Sequence, residues 1–322
     1  TFSPSWTFRR TTSIKNLTVS EAAAFLRAHD NFLILTHRRP DGDAVGCAAA
    51  LCEGLRSLGK TAAVLENPQF TPKFRPYLEG LTRADVPQDA CIVSVDIASE
   101  RIFAYNAAEL TTRVALCLDH HGRNTAYAAA GIVEPQTAAC GELILRVLQA
   151  LDVSLTPRMA EALYVAISTD TGCFRYSNTT AETLRAAAVC KDAGADTFAV
   201  NRVMFLTHRL ARLKLDAFLT ETTEFYAGGL VAVSAIPNEK ITELGLTEDD
   251  IDDISGFGRD IEGVEIGIMI RQAPEGGKLS VRTSPAYNAS EYCAKLGGGG
   301  HAAAAGAIVP GGIAEAKAAI LR

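Results

Sequence analysis

An aspartate and two histidines, Asp119-His120-His121, directly follow the apolar run 114–118. Continuous apolar runs of this kind are typical of strands buried in a parallel sheet. In open α/β sheets, ligands bind just beyond the carboxyl ends of such strands. An acid beside two imidazoles is a poor fold element there, but it is a good metal site. We therefore expect chemistry where this strand ends.

The segment 37–43 places a histidine and two aspartates after a second apolar run, residues 32–35. One interpretation is a Pro-Asp-Gly turn in which Asp43 caps the next helix. That interpretation leaves His37 and the nearby Asp41 unexplained. The alternative is that these three side chains are ligands at the end of a second strand.

Two further aspartates extend the pattern. Asp96 follows the apolar run 91–95, where a lone aspartate is often only a turn residue. Asp170 ends a predicted helix and shares a face with Leu163 and Ile167. A carboxylate on an apolar face costs several kcal/mol unless it is paired or bound to metal, and the helix dipole disfavours an acid at this end. Each aspartate alone is a weak indication.

Together these side chains predict a two-metal centre. Carboxylates packed together repel one another unless cations balance them, and two divalent ions would balance four aspartates. The predicted ligands are His37, Asp41, Asp43, Asp96, His120 and Asp170. Carboxylate and imidazole ligands without thiolates favour Mn²⁺, with Mg²⁺, Fe²⁺ or Co²⁺ as alternatives. Such a centre is typical of phosphoryl transfer, in which hydroxide attacks phosphorus in line.

A second group of residues lies near the C-terminus, where four glycines at 297–300 precede His301. Glycines let backbone N–H groups approach an anion closely. A flexible loop is the alternative, but such a loop does not require the histidine. Arg282 and Ser284, on or just after the preceding predicted strand, are further phosphate partners. The predicted substrate-binding residues are Arg282, Ser284, Gly298, Gly299, Gly300 and His301.

The elements that position these residues indicate an α/β fold in two domains. In a first domain, 17–206, strands alternate with helices, which predicts a parallel sheet. Its predicted strands are 32–35, 61–65, 91–95, 113–118 and 129–133. Its predicted helices are 18–29, 43–58, 139–151, 156–171, 181–193 and 196–205. Small residues in helix 43–58, such as Gly46, predict close packing on the sheet.

A helix within 207–226 is expected to connect this domain to a smaller one, 227–322, of mixed α+β character. The second domain's predicted strands are 230–235, 265–270 and 278–282. Its predicted helices are 248–257, 289–295 and one that begins at residue 313.

Composition narrows the functional classes. The net charge of −6 argues against a protein that binds long duplexes. Eight cysteines without a C-x-x-C pair predict a reduced, cytoplasmic protein rather than a disulfide framework. No apolar stretch is long enough to span a membrane, and residues 1–10 lack the apolar core of a secretory signal.

The order and spacing of these motifs resemble those of the DHH phosphoesterases. The four matching segments are His37-x-x-x-Asp41-x-Asp43, Asp96, Asp119-His120-His121 and residues 168–172. Residues 297–306 resemble the GGGH signature of the DHH-associated C-terminal domain. The two-domain length is most similar to the oligoribonuclease and pAp-phosphatase (nanoRNase) branch. The resemblance implies hydrolysis of short oligonucleotides and linear dinucleotides such as pApA or pGpG to mononucleotides, and of 3′-phosphoadenosine 5′-phosphate (pAp) to AMP.

The resemblance also implies a role for each residue. One metal ion would be held by His37, Asp41 and Asp96, and the other by Asp43, Asp96, His120 and Asp170. His121 would contact the scissile phosphate and Asp119 would support His120. Separately from the resemblance, we expect Arg175 to help stabilise the charge that develops on the phosphate. Expected partners are short single-stranded oligonucleotides, dinucleotides or nucleotide bisphosphates, and a homodimer is possible.

Three alternatives stay open at this point. A pyrophosphatase or exopolyphosphatase, or a RecJ-like single-strand exonuclease, could use the same metal centre. A noncatalytic nucleotide-binding regulator is the third, although every expected ligand position is filled. One departure from the family pattern is Ala302, where members often carry lysine, proline or another larger residue after the GGGH histidine. A possible side-chain contact with substrate is thereby lost.

Overall fold

The computed structural model describes residues 14–251 and 253–322. These fall into two compact units, the first ending at Thr207 and the second beginning at His208. The segment 1–10, for which no secretory signal is predicted, lies outside the described residues. None of the helices in the described part of the chain combines the length and apolar character needed to cross a membrane.

The first unit contains a seven-stranded sheet in which every pair of strands is parallel. Its strands are β1 (Lys15–Asn16), β2 (Phe32–Leu35), β3 (Ala62–Leu65), β4 (Thr82–Arg83), β5 (Cys91–Val95), β6 (Val114–Asp119) and β7 (Ala130–Val133). The order is β1-β7-β6-β5-β2-β3-β4, so the winding reverses between β2 and β5. The predicted parallel-sheet domain is confirmed. The prediction missed β1 and β4 because two-residue edge strands carry no periodicity.

Helices of the first unit begin and end close to the predicted positions. They are α1 (Val19–Ala28), α2 (Gly42–Ser57), α3 (Cys140–Ala150), α4 (Pro157–Asp170), α5 (Ala181–Asp192) and α6 (Thr197–Asn201). Thr18 and Glu21 form a capping box at the start of α1. A π-helical turn follows α6 at Arg202–Leu206, and three 3-10 helices lie at Arg75–Leu78, Glu100–Ile102 and Tyr105–Arg113.

Strand β2 shows why both faces of the sheet are covered. Alternate residues of a strand point to opposite faces. Phe32 and Ile34 are buried in a cluster with residues of α1 to α5, whereas Leu33 and Leu35 are buried with residues of the 3-10 segment Tyr105–Arg113. Because neither face meets water, the strand is apolar throughout, and its first polar groups come after its carboxyl end.

Helices α2 and α4 approach each other closely through glycines. A Cβ atom at Gly42 would lie 2.4 Å from Thr169 Oγ1, and one at Gly46 would lie 2.2 Å from the Ala162 carbonyl oxygen. The small residues of α2 were predicted to pack on the sheet, but at Gly46 the close contact is with α4. This contact brings the amino end of α2 beside the carboxyl end of α4, where Asp170 lies.

The second unit contains a mixed six-stranded sheet of order β12-β13-β11-β10-β9-β8. Its strands are β8 (Glu224–Tyr226), β9 (Val231–Ile236), β10 (Ile266–Ala273), β11 (Gly276–Thr283), β12 (Gly299–Gly300) and β13 (Ala304–Val309). Its helices are α7 (Leu210–Thr222), α8 (Asn238–Leu244), α9 (Glu248–Ile251), α10 (Ala289–Ala294) and α11 (Ile313–Ile320). The mixed α+β character of this part of the chain is confirmed.

Several elements of the second unit differ from the prediction. Helix α7 packs within this unit, where Leu215 and Leu219 are buried with Ile236 and Met269. The predicted helix 248–257 is a short α9 followed by a 3-10 helix, Ile254–Asp260. The prediction missed α8, β8, β12 and β13. The last of these is rich in alanine and glycine, so its strand state comes from pairing with β11 rather than from propensity.

Candidate metal centre and substrate-binding segment

The six predicted metal ligands converge at the carboxyl edge of the parallel sheet, beside β2, β5 and β6. Side chains that follow non-neighbouring segments of the chain meet there because the winding of the sheet reverses between β2 and β5. Among the described residues, three groups of histidine and aspartate have ligand atoms that all lie within 4.8 Å of one another. The groups are His37–Asp41–Asp96, Asp43–His120–Asp170 and Asp96–His120–His121.

The first group surrounds the His37 imidazole. Its Nε2 atom lies 3.7 Å from Asp41 Oδ1 and 3.7 Å from Asp96 Oδ2. Its Nδ1 atom is 2.8 Å from the Arg38 carbonyl oxygen, to which it donates when it carries the proton. That hydrogen bond leaves the lone pair on Nε2, which is the tautomer that can bind a cation.

The second group is built in the same way around His120. Its Nε2 atom lies 3.4 Å from Asp96 Oδ1, 3.4 Å from Asp170 Oδ2 and 3.7 Å from Asp43 Oδ2. Its Nδ1 atom is 3.0 Å from the Thr137 carbonyl oxygen, which again leaves Nε2 as the ligand atom. Metal–ligand bonds of about 2.0 to 2.3 Å place neighbouring ligand atoms roughly 3 to 3.7 Å apart, so these spacings suit donors around shared ions.

Asp43 is held by main-chain donors at the start of α3. Its carboxylate accepts hydrogen bonds from the Cys140 N–H at 2.6 Å and the Gly141 N–H at 2.9 Å. The Cys47 thiol donates to the same carboxylate at 3.2 Å. Helix α3 has no capping side chain of its own, so Asp43 occupies that place from α2. The prediction that Asp43 caps α2 was wrong, because the cap is Asp41, whose Oδ1 atom accepts from the Ala44 N–H at 3.0 Å. Asp43 instead caps α3 with its carboxylate and also lies in a ligand position.

Asp96 shows most directly that a cation fits. The residue is 2% exposed, and its backbone is left-handed, with φ of 57°. Its Oδ1 atom is buried and has no hydrogen-bond partner among the described residues. A buried carboxylate oxygen without a donor is costly unless it meets a positive charge. Within residues 14–251 and 253–322, Asp96 is also the one aspartate whose carboxylate is paired with both His37 and His120, which suits a bridging ligand.

The pKa shifts within the cluster also favour a cation at this place. Burial raises the pKa of Asp170 to about 7, Asp41 and Asp96 add to this rise, and His120 opposes it. Burial also raises the pKa of Asp43, with Asp96 and Asp170 adding repulsion. Burial opposes a charge on His120, but the surrounding aspartates raise the pKa of its imidazole to about 11. A divalent cation would reverse these trends by favouring carboxylates and neutral imidazoles.

Asp119 supports His121 rather than the His120 side chain, which corrects the expected arrangement. Asp119 Oδ1 lies 2.8 Å from His121 Nδ1. Its only contact with His120 is the main-chain N–H, at 2.9 Å. The reason is geometric, because the His120 Nδ1 atom is already occupied by the Thr137 carbonyl. His121 keeps a side chain that is 38% exposed, as a residue that meets substrate requires.

Asn124 completes this arrangement and was missed in the sequence. Its Nδ2 group donates to Asp119 Oδ2 at 2.6 Å and to the Ile97 carbonyl at 3.2 Å. Its Oδ1 atom accepts from the Ala126 N–H at 2.8 Å. Asn67 was missed in the same way; it is buried and donates to the His37 carbonyl at 2.9 Å. Both occur in turns where asparagine is common, so the sequence held no signal that could separate them from ordinary turn residues.

Arg175 lies five residues beyond Asp170, and its side chain is exposed. Its Nε atom donates to the Gly172 carbonyl at 2.6 Å. This bond fixes the stem of the side chain within its own turn. The expected contact of Arg175 with a phosphate stays a prediction.

In the second unit, residues 299–309 form a hairpin, here called the glycine hairpin. Strands β12 and β13 are joined at His301 and Ala304, whose main-chain groups pair at 2.8 and 3.2 Å. A Cβ at Gly300, which has a φ of 151°, would lie 2.5 Å from the Ala304 oxygen. A Cβ at Gly298 would lie 2.2 Å from the Gly306 oxygen. Packing therefore explains Gly298 and Gly300, whereas nothing lies within 4 Å of a Cβ at Gly299.

Arg282 and Ser284 lie at and just beyond the end of β11. Arg282 donates to the Ser255 hydroxyl at 3.4 Å, a contact with the 3-10 helix Ile254–Asp260. The Ser284 hydroxyl oxygen is buried and has no hydrogen-bond partner in the described ranges. His301 is exposed on the glycine hairpin. The Ser284 hydroxyl could therefore form a hydrogen bond with a ligand.

Comparison with known proteins gives the family. The N-terminal domain of the DHH family matches residues 31–167, and the DHHA1 domain matches residues 228–322. The bifunctional oligoribonuclease and PAP phosphatase NrnA of Thermus thermophilus is 32% identical over 288 residues, which is 86% of this chain and 84% of that protein. The chain belongs to the DHH family of phosphoesterases. The resemblance of its motifs to this family is thereby confirmed, as is its assignment to the hydrolytic enzymes.

A second curated protein and two solved structures are also similar to this DHH protein, the latter two in fold. The bifunctional oligoribonuclease and PAP phosphatase NrnA of Bacillus subtilis is 23% identical and aligns with 90% of this chain and 93% of its own length. An exopolyphosphatase-related protein from Bacteroides fragilis has the same fold, with a TM-score of 0.84 and 21% identity over 94% of each chain. RecJ of Thermus thermophilus in complex with Mn²⁺ is more distant, with a TM-score of 0.52 and 16% identity over 94% of this chain and 54% of that one.

Proposed function

We propose that this DHH phosphoesterase hydrolyses short oligonucleotides and linear dinucleotides, such as pApA and pGpG, to mononucleotides, and pAp to AMP and phosphate. The observation that carries the proposal is Asp96, a buried carboxylate without a hydrogen-bond donor at Oδ1 between two histidine–aspartate groups. Relatives named oligoribonuclease and PAP phosphatase, aligned over most of their length, support the substrate class.

In this proposal two divalent cations, with Mn²⁺ preferred, would bind at the groups His37–Asp41–Asp96 and Asp43–His120–Asp170, with Asp96 as a ligand of both. The oxygen and imidazole donors and the absence of a thiolate from both groups support this choice. When bound, such cations neutralise charge on a phosphoryl group and make water nucleophilic near neutral pH. One ion would be held by His37, Asp41 and Asp96, and the other by Asp43, Asp96, His120 and Asp170.

The protein's own groups orient the substrate. Asp119 fixes the ring of His121 through Nδ1, so Nε2 of an imidazolium can donate to an oxygen of the scissile phosphate. Asn124 holds Asp119 in turn. We also propose that Arg175 stabilises the negative charge that develops on the phosphate oxygens during hydrolysis. In the second unit, Arg282, Ser284, Gly298, Gly299, Gly300 and His301 bind a nucleotide part of the substrate, with Gly298 and Gly300 acting through the shape of the hairpin.

The experiment is a panel of substrates given to the purified protein with Mn²⁺. Initial rates are measured for pAp, pApA, pGpG, single-stranded oligonucleotides of two to ten residues, and inorganic pyrophosphate. We expect AMP from pAp and pApA, GMP from pGpG, and rates that fall as the oligonucleotide lengthens. A matched duplex should be a poor substrate, because the chain has a net charge of −6 and duplex binding depends on neutralising many phosphates.

Two results would contradict the proposal. Rapid hydrolysis of pyrophosphate without release of AMP from pAp or pApA would indicate a pyrophosphatase. Rates that rise with oligonucleotide length would indicate an exonuclease of the RecJ type. We also propose a cytoplasmic location, because all eight cysteines are free thiols. Separately, we propose that the protein is a homodimer in solution, which sedimentation of the purified protein tests.

A further inference from the structure

Most arginines in the described part of the first unit have a partner for their side chain. Arg27, Arg75, Arg83, Arg146, Arg158 and Arg185 form ion pairs with carboxylates. Arg56, Arg113 and Arg175 donate to main-chain carbonyls. Within residues 14–207, Arg38, Arg101, Arg123 and Arg202 form neither kind of contact with another described residue. All four side chains are exposed.

Three of these four arginines lie on the loops that carry the metal-ligand motifs. Arg38 follows His37 after β2, Arg101 lies beyond Asp96 after β5, and Arg123 follows His121 after β6. Strands β2, β5 and β6 are neighbours in the sheet. The three side chains therefore belong to the same edge of the sheet as the metal centre. We call them the arginine rim.

Hydrogen bonds tie the three loops together. The Arg38 N–H donates to the Ile102 carbonyl at 2.7 Å, which joins the first loop to the 3-10 helix that contains Arg101. The Thr125 N–H donates to the Ala98 carbonyl at 2.9 Å, which joins the loop of Arg123 to the same segment. Glu100 directly precedes Arg101 and is the carboxylate nearest to it in sequence. Its side chain accepts a hydrogen bond from the Thr125 hydroxyl. It forms no ion pair with the rim.

The protein has 37 acidic and 31 basic side chains, so it contains enough carboxylates to pair with these guanidinium groups. Unpaired arginines beside a phosphate-processing centre are suited to bind a phosphate, because the guanidinium matches its oxygens in pairs. The metal centre would hold the phosphate that is hydrolysed. The rim offers positive charge outside the two ligand groups, where a second phosphate of the substrate can bind.

We propose that Arg38, Arg101 and Arg123 form a subsite for a second, non-scissile phosphate, and so make the enzyme selective for substrates that carry one. The inference rests on the proposed function and adds a specificity determinant to it. A 5′-phosphorylated dinucleotide and a nucleoside 3′,5′-bisphosphate both carry such a group. A dinucleotide with a free 5′-hydroxyl does not.

The test compares pApA with ApA, which differ only in the 5′-phosphate. For the wild type, R38Q, R123Q and R101Q, kcat/KM is measured for both dinucleotides with Mn²⁺. We expect the ratio of pApA to ApA to fall about tenfold in the rim variants, as the loss of one charge-assisted hydrogen bond predicts. R202Q is the matched control, since Arg202 is also exposed and unpaired among the described residues but lies on the π-helical turn. Its ratio should equal that of the wild type.

Binding provides a readout that does not depend on turnover. The dissociation constants of 3′-fluorescein-labelled pApA and ApA are measured by anisotropy, with Ca²⁺ in place of Mn²⁺ to slow hydrolysis. Rim variants should lose the preference for pApA, and R202Q should keep it. Equal losses of affinity for pApA and ApA would indicate general electrostatic attraction and would overturn the proposed subsite. Rim variants that keep the wild-type preference for pApA would overturn it as well. If the wild type hydrolyses neither dinucleotide, the proposed function fails, while the binding ratio still tests the rim.

Discussion

The metal centre and the glycine hairpin are both made of residues that look unusual in the sequence, but for different reasons. Around Asp96, carboxylates and imidazoles are packed at spacings that hydrogen bonds do not explain. Helix capping accounts for Asp41 and Asp43 individually, but it does not account for carboxylates packed together around Asp96, where they repel one another. In the hairpin, Gly298 and Gly300 are required by the close approach of β13. Only Gly299 and the exposed His301 lack a structural explanation there.

The comparison teaches that unusual composition indicates chemistry only when packing does not already account for it. A buried acid costs free energy and must be offset by a ligand or an ion. A glycine can be required by its backbone angle or by a neighbouring strand. The four predictions below test this difference, beginning with the largest expected effect.

Replacing Asp96 should abolish most of the activity. D96N keeps the shape of the side chain but removes the charge shared by the two groups. We expect the Mn²⁺-dependent rate with pApA to fall about a thousandfold, equivalent to several kcal/mol of transition-state stabilisation. D152N is the control, since Asp152 is an exposed acid paired with Arg27 on the surface. A D96N rate within tenfold of the wild type would remove Asp96 from the centre.

Replacing Asn124 tests the support of His121. N124A removes the amide that donates to Asp119 Oδ2. Asp119 is then held less firmly, and so is the His121 imidazole that it orients. We expect kcat to fall about 10- to 100-fold with a smaller change in KM, as is usual for residues that hold catalytic groups. The ¹⁵N shifts of the His121 ring should also show a changed tautomer population.

N106A is the control for this change, because Asn106 also donates to a main-chain carbonyl, that of Glu66, but lies outside the metal-ligand groups. Its kcat and its histidine shifts should match those of the wild type. If N124A lowers only the unfolding midpoint and leaves kcat intact, Asn124 stabilises the loop and does not orient His121.

Two alanine substitutions separate packing from binding in the hairpin. G300A introduces a side chain against the Ala304 oxygen at an unfavourable backbone angle, so we expect a loss of about 2 kcal/mol in the free energy of unfolding. G299A meets no neighbour and should unfold like the wild type. If Gly299 faces substrate, G299A should raise KM for pApA severalfold. Equal stabilities for both variants would refute the packing explanation of Gly300.

The smallest effect is on the pH dependence of stability without metal. The pKa of Asp170 is raised from 3.8 to about 7, so the folded state binds a proton more tightly than the unfolded chain does. Stability should therefore fall as pH rises from about 4 to 7. The raised pKa of His120, about 11 instead of 6.5, extends this fall above pH 6.5.

Thermal unfolding in EDTA measures this effect. The midpoint should be a few degrees lower at pH 8 than at pH 6, and Mn²⁺ should raise it more at pH 8, because the deprotonated ligands bind the cation better. D170N should show a smaller difference between pH 6 and pH 7. A midpoint in EDTA that rises with pH over this range would contradict the raised pKa values.

The sequence by itself determined the strands that end at the site and the residues that converge there. Largely apolar runs such as 91–95 predict buried parallel strands, and charged groups are tolerated best where those strands end. Because carboxyl ends of parallel strands share an edge, the convergence of Asp96, His120 and His37 followed from local pattern alone. The same reasoning could not place two-residue edge strands or the alanine-rich β13, whose conformation depends on their neighbours.

Only the tertiary structure decided which partner each side chain of the site has, and so which role it can take. Asp119 pairs with the His121 ring because the Thr137 carbonyl, distant in sequence, occupies Nδ1 of His120. Asp43 is held by N–H groups of α3, which lie 97 and 98 residues further along the chain. Whether a glycine is needed for packing or remains open to a ligand depends likewise on which strand lies beside it. Hydrogen bonds and close contacts of this kind join distant segments, so no local pattern records them.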